Sequence, residues 1–228
     1  MNGSKHGPNR ARRKFSGGAT VFMRLKSIIL AAALSAVLAG CSTVGLGPLQ
    51  VFSNDYGART DAGYQLPRIP IEKVPTKYRR QMVRYETAEK PGTVIVDTNQ
   101  KFLYLVMDSG KAMRYGIGVG REGFEWHGTA RIALKREWPT WTPPAAMIKR
   151  QPELAKWRNG MPPSLSNPLG ARAMYLFNKG GDSGYRLHGS PEWNSIGHAM
   201  SSGCIRLMNQ DIIDLYNRAE VGAKVIVL

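Results

Sequence analysis

The stretch TVIVDTNQKFLYLVMDSGKAMRYGIGVG, residues 93–120, decides the fold. It reads as strand, turn, strand, turn, strand. Residues 93–97 are rich in β-branched side chains, and residues 102–107 form an apolar and aromatic run of strand length. Residues 98–100 and the sequence Asp108-Ser109-Gly110 are polar turn segments, and residues 112–119 form the third strand. Short runs separated by turn chemistry describe an antiparallel meander rather than a helix.

The pattern continues downstream. Residues 129–135 read as another strand, and residues 171–178 and 185–189 as two more, the last leading to His188. Between them, residues 137–166 are irregular and carry Trp138, Trp141, Pro143, Pro144, Pro162 and Pro163. So long a loop with such bulky residues reads as an ordered flap or groove wall, or as a packed structural loop. Asn209 is a candidate N-cap for a helix over residues 210–219. Asp211 falls in its first turn and Arg218 in its last, which suits the helix dipole. Ile212, Ile213, Leu215 and Tyr216 share one face, and residues 223–228 make a final strand. The domain is mostly β, a sandwich or mixed sheets with one main helix near the C-terminus. Upstream, residues 42–90 lack a sustained apolar period, and residues 66–75 hold three prolines. That segment reads as a tether with a short docking part and a brief helix over residues 78–85.

The N-terminus is set aside from the fold. MRLKSIILAAALSAVLAGC, residues 23–41, has a basic start, a short apolar run and small residues before Cys41. This is a secretory signal, too short for a comfortable membrane span. Its LAGC ending resembles the lipobox of bacterial lipoproteins, in which the cysteine is lipidated; an uncleaved N-terminal anchor is the other reading. A signal starting at Met23 has conventional proportions. Residues 1–40 hold seven basic residues and no acids, so the chain's net charge of +16 falls to +9 beyond them. A surface of that charge favours polyanions. No nucleic-acid motif accompanies it, so anionic envelope polymers or lipid head groups are the expected partners.

Cysteine usage points to chemistry. The chain has two, Cys41 and Cys204. With Cys41 lipidated, Cys204 has no partner in an oxidising compartment, where unpaired thiols are avoided or used. A catalytic thiol needs a base, and histidine is the usual one. His6 lies in the discarded N-terminus, and His127 sits at a turn. His188 ends a strand and precedes Gly189, whereas His198 lies in the loop approaching Cys204. Rigid strand ends favour His188 as the base. A third group must orient the imidazole, a role open to a backbone carbonyl, and N–H donors must hold an oxyanion. Gly203 permits the dihedrals that turn local amides toward a substrate. Arg206, two residues after Cys204, shares a strand face with it. It is placed to lower the thiol pKa or to grip a carboxylate, or else to form an ion pair with Asp211 or Asp214. Ser201 and Ser202 either donate to substrate or make the turn. One cysteine and two histidines lack the spacing of a zinc site, so no metal and no cofactor is expected.

These residues resemble the YkuD-type L,D-transpeptidase domain, in particular its exported ErfK-like proteobacterial group. YRLHGS, IG and SSGCIRL, then NQDIIDLY and VGAKVIVL, carry the likeness over residues 185–228, and TVIVDTNQKFLYLV, GIGVG and NPLGARAMYL carry it upstream. The resemblance spans residues 91–228. It implies a β-rich fold around a cysteine groove, with Cys204 as nucleophile and His188 as base, oriented by a carbonyl near Gly189. It implies a peptidoglycan stem tetrapeptide as substrate, D-alanine as leaving group, and a stem or envelope-protein amine as acceptor. It also implies acylation by carbapenem β-lactams. Ser202 stands where many members have histidine, so a role for that second histidine is not carried over. The expected organisation is a signal at 1–40, a lipidated N-terminus and linker at 41–90, and the catalytic domain at 91–228. The expected location is the periplasm, lipid-anchored at the outer membrane's inner leaflet. A same-fold thiol hydrolase and an inactive peptidoglycan-binding lipoprotein are the alternatives.

Overall fold

The computed structural model describes residues 56–121 and 126–228. The signal segment and Cys41 lie outside the described residues. Two short strands, β1 (Arg59–Asp61) and β2 (Tyr64–Leu66), pair as a hairpin. The helix expected over residues 78–85 does not form. A single 3₁₀ turn at Thr76–Tyr78 gives way to strand β3 (Gln81–Arg84), because Arg79 leaves the turn in an extended conformation. The unpaired edge of a later strand then supplies hydrogen bonds that outweigh local helix preference.

The meander forms β4 (Val94–Asp97), β5 (Phe102–Met107) and β6 (Lys111–Gly116), followed by the short β7 (Val119–Gly120). Ser109 and Gly110 both take positive φ in the β5–β6 turn, as the Asp-Ser-Gly sequence requires. Next come β8 (Gly128–Glu137), helix α1 (Ala145–Arg150), β9 (Arg172–Asn178) and β10 (Gly181–Ser190). The chain ends with β11 (Ala199–Ser201), β12 (Ile205–Met208), helix α2 (Asn209–Arg218) and β13 (Lys224–Val227). The fold is therefore mostly β with one main C-terminal helix.

Nine strands form one mixed sheet in the order β12-β10-β9-β8-β13-β4-β5-β6-β3. Leu103 and Met113 from one end of that order share a buried cluster with Leu187 and Ile205 from the other. The sheet must therefore fold over on itself. The contact that closes it lies between Gly118, just beyond β6, and Arg206 of β12. Each backbone N–H donates to the other's carbonyl, at 2.9 and 2.8 Å. Burial of each large aliphatic side chain in this core contributes about 1.5–3 kcal/mol over exposure.

Helix α2 covers one face through Ile212 and Leu215, both fully buried. Lys135 donates to the Ala219 carbonyl at 2.9 Å, offsetting the negative end of that helix. Asn209 does not cap it: Met208 holds the cap position, and the Asn209 side-chain carbonyl accepts from the Ala171 N–H at 2.9 Å. Asp211 faces the core rather than solvent. It lies 3.8 Å from the buried Arg80 guanidinium, which is 3.4 Å from Asp214. Arg80 and Tyr56, whose hydroxyl accepts from the Arg80 N–H at 2.7 Å, thus fasten the segment upstream of residue 91 onto α2. Among the described residues, no helix is long and apolar enough to cross a membrane.

Candidate active site

Strands β10 and β12 run parallel, with Leu187 opposite Ile205 and His188 opposite Arg206. Leu187, Ile205 and Leu207 point into the core. Strand alternation sends His188 and Arg206 to the other face. Cys204 immediately precedes β12, and continuing the register backward sets it level with Arg186, on the His188 side. The thiol accepts a hydrogen bond from the Arg186 backbone. Cys204 is a free, half-buried cysteine.

His188 is 4% exposed. Its Nδ1 lies 2.6 Å from the Gly189 carbonyl, so Nδ1 carries the proton and donates. The other ring nitrogen, Nε2, is then the basic one in the neutral tautomer. The Pro168 carbonyl is a further backbone partner. Burial depresses the imidazole to about pKa 4, aided by the charges of Arg206 and Arg186 and opposed by the carbonyl bonds. Burial likewise pushes the Cys204 thiol up, against the Arg186 N–H and the Arg186 and Arg206 charges, which pull it down. Both shifts favour a neutral thiol and a neutral imidazole over a standing ion pair.

The turn before Cys204 is built by Ser201, which is buried. Its hydroxyl donates to the Cys204 carbonyl at 2.6 Å and accepts from the Gly203 N–H at 3.2 Å. Gly203 sits at φ +116, a conformation that L side chains rarely adopt. Ser202 is exposed at the tip of the turn. Arg206 pairs with Glu192 at 2.9 Å, not with Asp211 or Asp214 as a surface role would have had it. Those two aspartates are drawn to Arg80 instead.

Four neighbours escaped sequence reasoning in their roles. Asn167 is fully buried, and its side-chain amide donates to the carbonyls of Pro139, Met161 and Pro162, tying both ends of the loop that leaves β8 and returns to β9. Pro168, next in sequence, presents its carbonyl to His188. The Asn209 side chain packs behind Gly189, where an added Cβ would lie 2.3 Å from its oxygen. Glycine after His188 is thus a packing requirement, and it leaves the carbonyl that orients the imidazole in place. Glu192 is the fourth. The NPLG and NQD sequences hold a polar signal for two of these, but nothing local reveals where the amides reach.

The loop over residues 137–166 is ordered, with α1 and a 3₁₀ helix at Pro152–Trp157. His198 is exposed; its carbonyl accepts from the Val119 N–H of β7 at 3.1 Å, and its N–H donates to the Ser195 carbonyl at 3.2 Å. His127 is also exposed and borders a groove of about 420 Å³ with Asn99, Lys101 and Ala199.

Residues 91–227 match the YkuD family, the L,D-transpeptidase catalytic domain. The chain belongs to that family. The probable L,D-transpeptidase ErfK/SrfK of Escherichia coli K12 is 30% identical over 195 residues, covering 78% of this chain and 58% of that protein. The probable L,D-transpeptidase YcfS of the same organism is 33% identical over 142 residues, covering 60% of this chain and 44% of that one. The chain thus spans roughly half the length of the curated relatives it matches. A crystal structure from Brucella melitensis, described as a probable carnitine operon oxidoreductase, is 45% identical. It covers 70% of this chain and 99% of its own, at a TM-score of 0.48.

Proposed function

We propose that this chain is a peptidoglycan L,D-transpeptidase with Cys204 as nucleophile and His188 as base. The observation that carries the reading is the bond from His188 Nδ1 to the Gly189 carbonyl. It fixes the tautomer that a general base needs, on the strand paired in parallel with the one that follows Cys204. Family membership supports a cysteine-dependent acyl transfer.

In this mechanism His188 Nε2 takes the Cys204 thiol proton as sulfur attacks the carbonyl on the L-centre of the stem's third residue, a diamino acid. Because burial holds both partners neutral, charge is created only when the carbonyl is in place to receive it. Because the Gly203 amide is engaged by Ser201, the neighbouring backbone amides of the turn that leads into Cys204 stabilise the oxyanion. The carbon–nitrogen bond to D-alanine breaks, and His188 returns the proton to the leaving amine. An incoming amine then attacks the thioester, passes its proton to His188, and sulfur departs to be reprotonated. Arg206 supplies a fork for a substrate carboxylate once Glu192 yields it.

The proposed organisation is a signal over residues 1–40, lipidation at Cys41, and an anchored catalytic domain in the envelope. The stem peptide is the donor, and a second stem or an envelope-protein amine is the acceptor. The test is incubation with disaccharide-tetrapeptide, with products read by mass spectrometry beside Cys204→Ala. A dimer that has lost D-alanine, absent in the mutant, is expected. Tripeptide alone indicates the hydrolase alternative, and no reaction by a folded protein removes the reading.

A further inference from the structure

We infer that the β1–β2 hairpin, upstream of the family's domain, is a strap that sets the loop beside the active site, with Asp61 as its positioning residue. The loop spanning residues 139–166 leaves β8 at Trp138 and rejoins β9 through residues 167–171. Those returning residues touch the catalytic strand: the Pro168 carbonyl faces His188, and Gly170 packs on Gly189. Whatever fixes the neck of the loop therefore fixes the wall next to His188.

One carboxylate grips both sides of that neck. Asp61 Oδ2 accepts from Trp138 Nε1 at 2.7 Å and from Arg172 Nη1 at 2.8 Å, and Oδ1 accepts from Arg172 Nη2 at 2.9 Å. Trp138 ends the outgoing side, and Arg172, 5% exposed, begins the returning side. Tyr64 stacks on the Trp138 ring at 3.9 Å between centroids, and Leu66 is buried with Trp138 and Ala171. Trp138 itself holds φ +40. A bulky residue in that region is strained, and it persists only where its surroundings over-determine it. The hairpin supplies those surroundings, so the strain sets the direction in which the loop departs. His188 is oriented chiefly by the Gly189 carbonyl of its own strand, and Cys204 is set by the β10–β12 register, and neither of these passes through the hairpin.

The inference rests on the proposed reading of Cys204, and two arms of its test separate the two ideas. The full-length protein carries Asp61→Asn, or Tyr64→Ala, which removes the stacking and leaves the ion pair. Trypsin reports the loop directly, because Lys149, Arg150, Lys156 and Arg158 are all exposed on it. Nicking within residues 149–158 should accelerate at least about tenfold in both variants while the rest of the chain stays intact by mass. The value of kcat/KM for disaccharide-tetrapeptide should fall at least about tenfold, chiefly through KM. Carbapenem acylation, which reads the cysteine–histidine pair with a small probe, should stay within about threefold of wild type. Equal losses toward both reagents, or unchanged nicking and KM, overturn the strap. If Asp61→Asn fails to fold, Tyr64→Ala decides. If the wild type forms no adduct and no product, the reading of Cys204 fails, and the trypsin arm still judges the strap.

Discussion

His188 and Arg80 are equally buried, at 4% and 2% exposure, yet their surroundings accommodate polarity in opposite ways. Around His188 the partners are backbone carbonyls, of which that of Gly189 accepts the Nδ1 proton, and they bring no negative charge. The ring stays neutral and its other nitrogen stays basic. Around Arg80 the partners are Asp211 and Asp214, and the guanidinium is held above its ordinary pKa chiefly by those carboxylates, against burial. Asp214 is the nearer to Arg80 and is also bound by Arg218, at 2.9 Å. Asp211, fully buried and at the longer distance, is pushed up to about pKa 7 by burial despite Arg80. One guanidinium before two carboxylates leaves Asp211 as the group that takes up a proton. Dipoles suit a group that must change its charge during a reaction; paired charges suit one that must not.

The comparison can be broken in order of effect. The largest effects lie at the dipolar cluster. Cys204→Ala should give no carbapenem adduct at any time, by intact mass. His188→Ala should slow adduct formation by about 10²–10⁴-fold while the protein keeps its unfolding midpoint within a few degrees. A comparable loss of stability would mean that His188 is a structural residue like Arg80. At the charged cluster the consequences reverse. Arg80→Ala takes the buried guanidinium from Asp211 and leaves Asp214 to Arg218, and should cost about 3–5 kcal/mol in urea unfolding, with the folded fraction acylated normally.

Stability against pH sharpens the contrast further, because the two clusters have opposite signs. The depressed His188 contributes stability that is complete above pH 6.5 and declines as pH falls toward about 4. The raised Asp211 contributes stability that is complete below pH 3.8 and is lost as pH rises through about 7. Denaturation midpoints of the wild type should therefore drop relative to Asp211→Asn on going from pH 4 to pH 7. A parallel course of the two proteins would show that Asp211 stays ionised in the folded state. Acylation rates should show no inflection between pH 6 and 7, since His188 is already deprotonated there. The smallest effect belongs to the exposed His198, whose replacement by Ala should change acylation by less than about threefold. A loss in His198→Ala exceeding that in His188→Ala would reverse the assignment of the base.

Much of the β architecture was legible. The meander of residues 93–120, the strand leading to His188 and the C-terminal helix all follow from local periodicity and turn chemistry. Cys204 and His188 stand out as candidates for a different reason: a thiol with no expected partner, a histidine at a strand end and a recognisable family pattern coincide. The same local reasoning misjudged the segment before residue 91. Its irregular apolar spacing reads as a tether with only a short docking part, yet Tyr56, Leu66 and Val74 are buried and β3 completes the sheet edge. Those residues find their apolar and hydrogen-bonding partners far along the chain, where no window of sequence can pair them.

Asn209 and Arg206 show the same division. Asn209 has the right chemistry for a cap and sits one residue from the predicted helix start, but Ala171 offers its side chain a buried N–H, and the cap is not made. Arg206 was placed on the correct strand face, but its partner is Glu192 because Arg80 draws the helix aspartates inward. By itself the sequence determined most of the strands beyond residue 91, where they turn and which residues are candidates for thiol chemistry, because those depend on neighbours within a few positions. The tertiary structure alone decided the sheet order, the closing contact of Gly118 with Arg206, the burial that keeps His188 neutral and the strap on the loop beside it. Each of these depends on groups brought together across more than a dozen residues, and their energies exist only once the chain has folded.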